Sequence, residues 1–221
     1  MAGSRPRLCV ALTRDDPAAV AAAAPLTDFY EVRIDLIGAD WRKVAAGLPK
    51  PWIATNRRRE EGGDWRGSEG DRIGELVAAV EAGAAIVDIE LAAPGLPDLL
   101  RRRKSRGRVL VSCHDLAGTP ALAEMRSTVE RMRAAGANIC KLVTTARSFG
   151  DNLAVLKLFG AFPGVDIVAF AMGEAGKLSR VLSPLAGAYF TFASTATGSE
   201  SAPGQISAAE MRELYRMLGH E

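Results

Sequence analysis

Several things are scarce in this sequence, and each scarcity excludes something. Three cysteines, Cys9, Cys113 and Cys140, stand among 221 residues with no CxxC pair and no metal-like spacing. That excludes a disulfide framework and a thiolate-bound metal. Their odd number, inside strand-like segments, is expected of reduced, buried thiols in a cytoplasmic protein. An excess of one charge is missing too: 28 Lys and Arg face 26 Asp and Glu, a formal net charge of +2. So small an imbalance argues against nucleic acid or an anionic membrane as partner. One basic run, Arg101, Arg102, Arg103, Lys104, Arg106 and Arg108, reads as a solvated helix end, with Gly107 as its stop. Long apolar runs are absent. The longest signal-like stretch, AAVAAAAPL at 18–26, is nine weakly apolar residues, too short to span a bilayer. The opening MAGSRPRLCV enters a strand-like run without a secretory apolar region. No linker or low-complexity tract divides the chain, so one domain over 1–221 is expected.

What is present is a globular composition, 48% hydrophobic and 24% charged. Eight short β-rich runs recur: RLCVAL, FYEVRIDL, PWIATN, AIVDIEL, RVLVSCHD, NICKLVTT, VDIVAFAM and AYFTFAS. Several are nearly continuous in apolar residues, as parallel strands covered on both faces are. Amphipathic stretches fill most gaps. Asp16 and Pro17 read as a helix cap and first turn. Residues 71–82 carry Ile73, Leu76, Val77 and Val80 at helical spacing. Residues 120–135 carry Leu122, Met125, Val129 and Met132, and 207–218 close the chain. Eight strands alternating with helices predict an α/β fold, a (β/α)8 TIM barrel. The competing doubly wound sheet usually has a glycine-rich phosphate turn after its first strand, and ALTRDDP has none.

Active sites of such barrels gather at the carboxyl ends of the strands, and charge collects there in this sequence. Glu31, Arg33 and Asp35 alternate with Val32 and Ile34, which predicts all three pointing inward. Asp88 and Glu90 share a face, as do Ser112 and His114. In NICKLVTT, Lys141 shares a face with Ile139 and Val143. Arg57 follows the third strand and Arg180 the seventh. Any one of these could be a structural ion pair, or, for Lys141, an amine whose stem lies on apolar surface with its head in water. The set converging on one mouth argues for chemistry. A lysine in a low-dielectric pocket near other cations is partly neutral and can attack a ketone to form an imine. His114 can shuttle a proton near neutral pH. Forked guanidinium donors at the rim match a carboxylate.

The motifs EVRID, TNRRREEGG, VDIE, SCHD, CKLV, AMGEAGKLSR and SAPGQ follow one another along nearly the whole chain. In that order they resemble the type I 3-dehydroquinate dehydratases, and SAPGQ after the last strand is the most specific of them. The resemblance implies dehydration of the small molecule 3-dehydroquinate to 3-dehydroshikimate, without metal or cofactor, in a cytoplasmic homodimer. It implies that Lys141 forms the imine, that His114 moves the C2 proton and protonates the leaving C1 hydroxyl, and that Arg180 binds the substrate carboxylate. Ser201 and Gln205 would complete the pocket, while Glu31, Arg33 and Arg57 bind ring hydroxyls or order the site. Glu61 would orient His114, with Asp88 and Glu90 as rival carboxylates. Two departures touch affinity rather than chemistry: Ala11 stands where many members have a serine, and Asn56 where an aromatic is frequent. A hairpin plugging the barrel bottom is expected to be reduced or absent. Residues 195–205 are expected to form a water-excluding lid. The alternative enzyme is another imine-forming barrel, a class I aldolase. The non-enzymatic alternative is an inactive scaffold barrel, whose signature would be loss of Lys141, His114 or Arg180.

Overall fold

The computed structural model describes residues 5–104 and 106–220. Residues 1–4, where the readings about a secretory run and a plugging hairpin begin, lie outside that description. The described residues form eight strands: β1 Leu8–Leu12, β2 Phe29–Arg33, β3 Trp52–Thr55, β4 Ile86–Glu90, β5 Arg108–His114, β6 Ile139–Thr145, β7 Ile167–Met172 and β8 Thr191–Ala193. All pairings are parallel, in the order β7-β6-β5-β4-β3-β2-β1-β8. The Tyr189 N–H donates to the Ile167 carbonyl at 2.7 Å, bridging the remaining seam between β7 and the approach to β8. This is the expected (β/α)8 barrel.

The helices are α1 Pro17–Ala23, α2 Ile34–Ile37, α3 Trp41–Ala46, α4 Glu69–Glu81, α5 Leu96–Arg102, α6 Leu122–Ala134, α7 Phe149–Gly160, α8 Lys177–Leu182 and α9 Ala208–Met217. Caps start several of them. The Asp16 carboxylate accepts the Ala19 N–H at 3.0 Å, with Pro17 in the first turn. Ser207 and Glu210 form a reciprocal capping box on α9. Among the described residues no helix is long and apolar enough to cross a membrane. The three cysteines are unbonded.

Strand alternation makes two cores. Outward residues such as Val10, Val32, Ala54, Val87, Val111 and Leu142 pack against the helices. Inward residues Cys9, Ile53, Ile86, Leu110, Ile139, Val168 and Phe190 fill the barrel. The fill changes along the axis. The amino-terminal part is apolar, and the polar residues begin one inward position further along, at Glu31, Thr55, Asp88, Ser112 and Lys141. Arg212 of α9 ties the ends of the chain together. Its guanidinium donates to the Leu26 and Pro6 carbonyls and to Asp28, which also accepts the Leu8 N–H.

Three expectations need correction. Strand β2 stops at Arg33, so Asp35 leaves the alternation and sits in the first turn of α2. The cause is a local ring: Arg33 donates to both Asp35 oxygens, at 2.9 and 2.7 Å, and Asp35 accepts the Asp64 N–H at 3.1 Å. Helix α5 ends at Arg102, before Gly107. At φ +63 Gly107 makes the turn into β5 instead. Arg108 therefore belongs to the strand, where it donates to Asp166 and to the Tyr189 hydroxyl at the barrel floor. The eighth strand is three residues long rather than the seven of AYFTFAS.

Candidate active site

At the carboxyl end of the strands a cavity of about 330 Å³ opens, within the usual range for small-molecule sites. Lys141 lies inside it, 5% exposed, on β6 beside its β5 register partner Ser112. Its Nζ donates to Asp88 Oδ2 at 3.0 Å, is 3.8 Å from Glu31 Oε1, and sits 4.4 Å from the Phe192 ring centroid. The sequence predicts cations around this amine. In the structure its nearest charged neighbours are carboxylates, because the inward parity of β2 and β4 aims Glu31 and Asp88 at it.

Arg57 orders that wall. One terminal nitrogen donates to Asp88 Oδ2 at 2.6 Å; the other donates to Ser112 Oγ at 2.6 Å and Glu90 Oε1 at 3.0 Å. Ser112 passes its own hydrogen to Asp88 Oδ1 at 2.7 Å, which closes a ring. Burial opposes ionisation of Asp88, yet the Arg57 charge, helped by Lys141, holds its carboxyl well below the usual range. Burial likewise opposes charge on Arg57, but Asp88 and Glu90 outweigh it and raise its pKa. The second oxygen of Glu90 accepts from Arg72 of α4 at 2.7 Å. Thr55 donates to Glu31 Oε1 at 2.9 Å.

His114 ends β5 at the mouth. Its Nδ1 lies 2.9 Å from Glu61 Oε2, and its backbone N–H donates to the same oxygen at 3.0 Å. One oxygen accepting twice favours Nδ1–H as the ring donor, which leaves Nε2 unprotonated in the neutral ring. Burial first, then the Arg57 and Lys141 charges, push His114 well below 6.5. Burial lifts Glu61 to about 7, against the pull of Arg57. Asp88 and Glu90, the rival carboxylates, are spent on Arg57, Lys141 and Arg72. Glu61 reaches His114 because residues 59–61 form a single 3-10 turn folded back on Arg57. Gly63 makes that possible, since a Cβ there would lie 2.0 Å from the Arg57 carbonyl oxygen.

The opposite wall is aromatic and carries one cation. Arg180 is 1% exposed, with its guanidinium carbon 4.1 Å from the Phe170 ring centroid. Among the described residues its Nε and one terminal nitrogen find no hydrogen-bond partner. Burial pushes this guanidinium down to about 10. A buried fork with unused donors is a site for a planar anion. Ser201 and Gln205 also line the cavity, tied together where the Gln205 side-chain oxygen accepts the Ser201 N–H at 2.7 Å. Their loop rests on the turn after β7, with the Gly173 N–H donating to the Pro203 carbonyl at 3.1 Å.

Each residue nominated from sequence, Lys141, His114, Glu61, Glu31, Arg33, Arg57, Arg180, Ser201 and Gln205, lines this one cavity. Their availability differs. Arg33 is already paired with Asp35, and Arg57 spends three of its five donors on Asp88, Glu90 and Ser112. Ala11 does not line the cavity, and neither does Asn56. Asn56 has the outward parity of β3, with a buried side chain whose polar atoms find no partner. Arg72, Phe170 and Phe192 were missed. The aromatics had a signal, the inward parity of VAFAM and TFA. Arg72 had one too: an arginine on the apolar stripe of α4, one turn before Leu76.

The model of the family described as type I 3-dehydroquinase matches residues 8–221. The 3-dehydroquinate dehydratase of Dehalococcoides mccartyi is 44% identical over 216 residues, covering 98% of this chain and 97% of that protein. That of Methanosarcina mazei is 36% identical over 213 residues, covering 89% and 88%. The crystal structure of 3-dehydroquinate dehydratase from Geobacillus kaustophilus superposes with a TM-score of 0.86 at 25% identity, covering 98% of this chain and 92% of that one. With a family match across nearly all its length and a relative 44% identical over 216 residues, this chain belongs to the type I 3-dehydroquinase family.

Proposed function

We propose that this enzyme dehydrates 3-dehydroquinate to 3-dehydroshikimate, the third step of the shikimate pathway, through an imine on Lys141. The observation that carries the reading is the meeting, in one cavity, of a buried amine, an imidazole depressed into its neutral form and a buried guanidinium with free donors. The Arg180 fork receives the substrate carboxylate. Glu31 and Arg33 face the ring hydroxyls from β2, and Ser201 and Gln205 close over the ring. Lys141 gives up a proton and attacks the C3 ketone; loss of water leaves a protonated imine. That cation is an electron sink beside C2. His114 Nε2 takes the C2 proton and the electrons move into an enamine. The enamine expels the C1 hydroxyl, which leaves as water with the proton returned by His114. Water then hydrolyses the conjugated imine and frees Lys141. Glu61 holds the imidazole and steadies its charged form between the two transfers. The resemblance also implies a cytoplasmic homodimer, which sedimentation at micromolar concentration tests for its second half.

The decisive experiment adds borohydride with 3-dehydroquinate and maps the modified peptide. The expected result is a reduced substrate adduct on Lys141, together with enone absorbance in untreated enzyme that EDTA does not change. An active enzyme trapped with Lys141 unmodified overturns the imine assignment. Carbon–carbon cleavage in place of enone formation would move the enzyme to the aldolases.

A further inference from the structure

We propose that Arg72, a residue of the helical layer that never meets the cavity, is a positioning residue for Lys141, acting through Glu90 and Arg57. The inference rests on the function proposed above. Strand β3 ends at Thr55, whose register partner is Asp88, while β4 runs on to Glu90. Beyond Thr55 the wall is therefore open on that side, and the Glu90 carboxylate takes up the Arg58 N–H at 3.1 Å where a ladder partner would have been. Arg72 reaches this gap from α4. It is 0% exposed, and it donates to Glu90 Oε2 at 2.7 Å and to the Asn56 carbonyl at 2.8 Å. Its other face is held by both oxygens of Glu69, at 2.8 and 3.0 Å. Glu69 in turn is fixed by the Gly95 N–H at 3.0 Å.

The consequence is a division of labour among buried charges. Asp88 and Glu90 are two carboxylates on one inward face, and Arg57 is the guanidinium between them. A buried carboxylate with too few partners draws the nearest cation to itself. With Arg72 on one oxygen of Glu90, Arg57 need only touch the other, at 3.0 Å, and turns its shorter contact of 2.6 Å to Asp88 Oδ2. That is the oxygen Lys141 also uses. Arg57 thus shares the charge of Asp88, which keeps the amine from being closed into an exclusive ion pair. Without Arg72, Glu90 would reclaim Arg57, and Asp88 would pass wholly to the attacking nitrogen. The step to suffer is imine formation, while the carboxylate anchor at Arg180 lies on the other wall.

Arg72→Met tests this, measured as kcat per folded molecule, with the folded fraction taken from circular dichroism and denaturant unfolding. The expected result is a fall of about 10–100-fold, the scale of a misplaced reacting group, with KM little changed. Arg72→Lys should recover part of the loss. Glu69→Gln, a milder change on the partly exposed side of the chain, should act in the same direction by less, and it decides the matter if Arg72→Met fails to fold. Wild-type kcat in a folded Arg72→Met, or in Glu69→Gln when that variant decides, overturns the proposal, as do kcat and KM that change together without rescue by lysine. A crystal structure of Arg72→Met separates this inference from the functional reading. Arg57 should leave Asp88 for Glu90 whatever reaction the wild type catalyses, and an intact ring of Arg57, Asp88 and Ser112 refutes the positioning role.

Discussion

On the β2–β4 side of the cavity Arg57 is enclosed by Asp88, Glu90 and Ser112, whereas on the β7–β8 side Arg180 rests on Phe170 with donors unused. Both guanidiniums are buried, and their pKa values move in opposite directions, Arg57 upward and Arg180 down to about 10. The difference separates structure from binding. Arg57 spends three donors on Asp88, Glu90 and Ser112, so its charge is matched before any ligand arrives. A cation left unmatched in an apolar wall stores desolvation energy that an incoming anion releases. The resemblance left Arg57 either on the ring hydroxyls or ordering the site; its bonds to Asp88, Glu90 and Ser112 favour the second.

The sharpest way to break this comparison is to remove each guanidinium. Arg57→Met should cost about 3–5 kcal/mol in denaturant unfolding, since it removes the cation shared by two buried carboxylates; a cost below the 1 kcal/mol typical of surface pairs would mean the network is not structural. Between the two walls stands His114. His114→Ala should cut kcat on the order of 10²–10⁴-fold, the range of acid–base catalysis, while still allowing slow imine trapping; near-wild-type turnover rejects its role. Arg180→Met should raise KM about 100-fold, through loss of a bidentate charge-assisted contact worth about 3 kcal/mol. Unlike its counterpart it should leave unfolding stability unchanged or slightly higher, because no buried partner is stranded.

A smaller effect concerns pH. The folded Glu61 carboxyl titrates at about 7 rather than 4.5, so it binds its proton more tightly than the unfolded chain does. Its contribution to stability is complete below pH 4.5 and is lost as pH rises through about 7. His114, depressed below 6.5, has the opposite sign and contributes fully above that pH. The stability difference between wild type and Glu61→Gln, followed from pH 4 to 8, should therefore slope downward with pH, and a flat difference shows the carboxyl is unperturbed. The mildest expectation concerns residues 195–205. Substrate should slow proteolysis and hydrogen exchange there, and rates indifferent to substrate count against a lid.

Much of this is legible in the sequence. The eight β-rich runs and the stripes at 71–82 and 120–135 announce the barrel, because strands covered on both faces must be apolar throughout. Lys141, His114 and Arg180 could be nominated because charged or titratable groups interrupt or end those runs. What was not legible is pairing. The β2 strand ends early because Asp35 closes on Arg33, a choice between alternation and a two-residue ring that periodicity does not reveal. The sequence predicts cations near Lys141, yet its company is Asp88 and Glu31, on strands 53 and 110 residues earlier in the chain. Arg72 was lost among the residues of an ordinary amphipathic helix, since its partner lies across the barrel wall.

By itself the sequence determined the alternation of elements, the inward parity of each strand and the family. Those follow from local periodicity and from motifs a few residues long. Tertiary structure alone decided which carboxylate neutralises which cation, and which cation is left for a ligand. Such a choice depends on distances of about 3 Å between residues remote in sequence, inside a medium where each unpaired charge is costly.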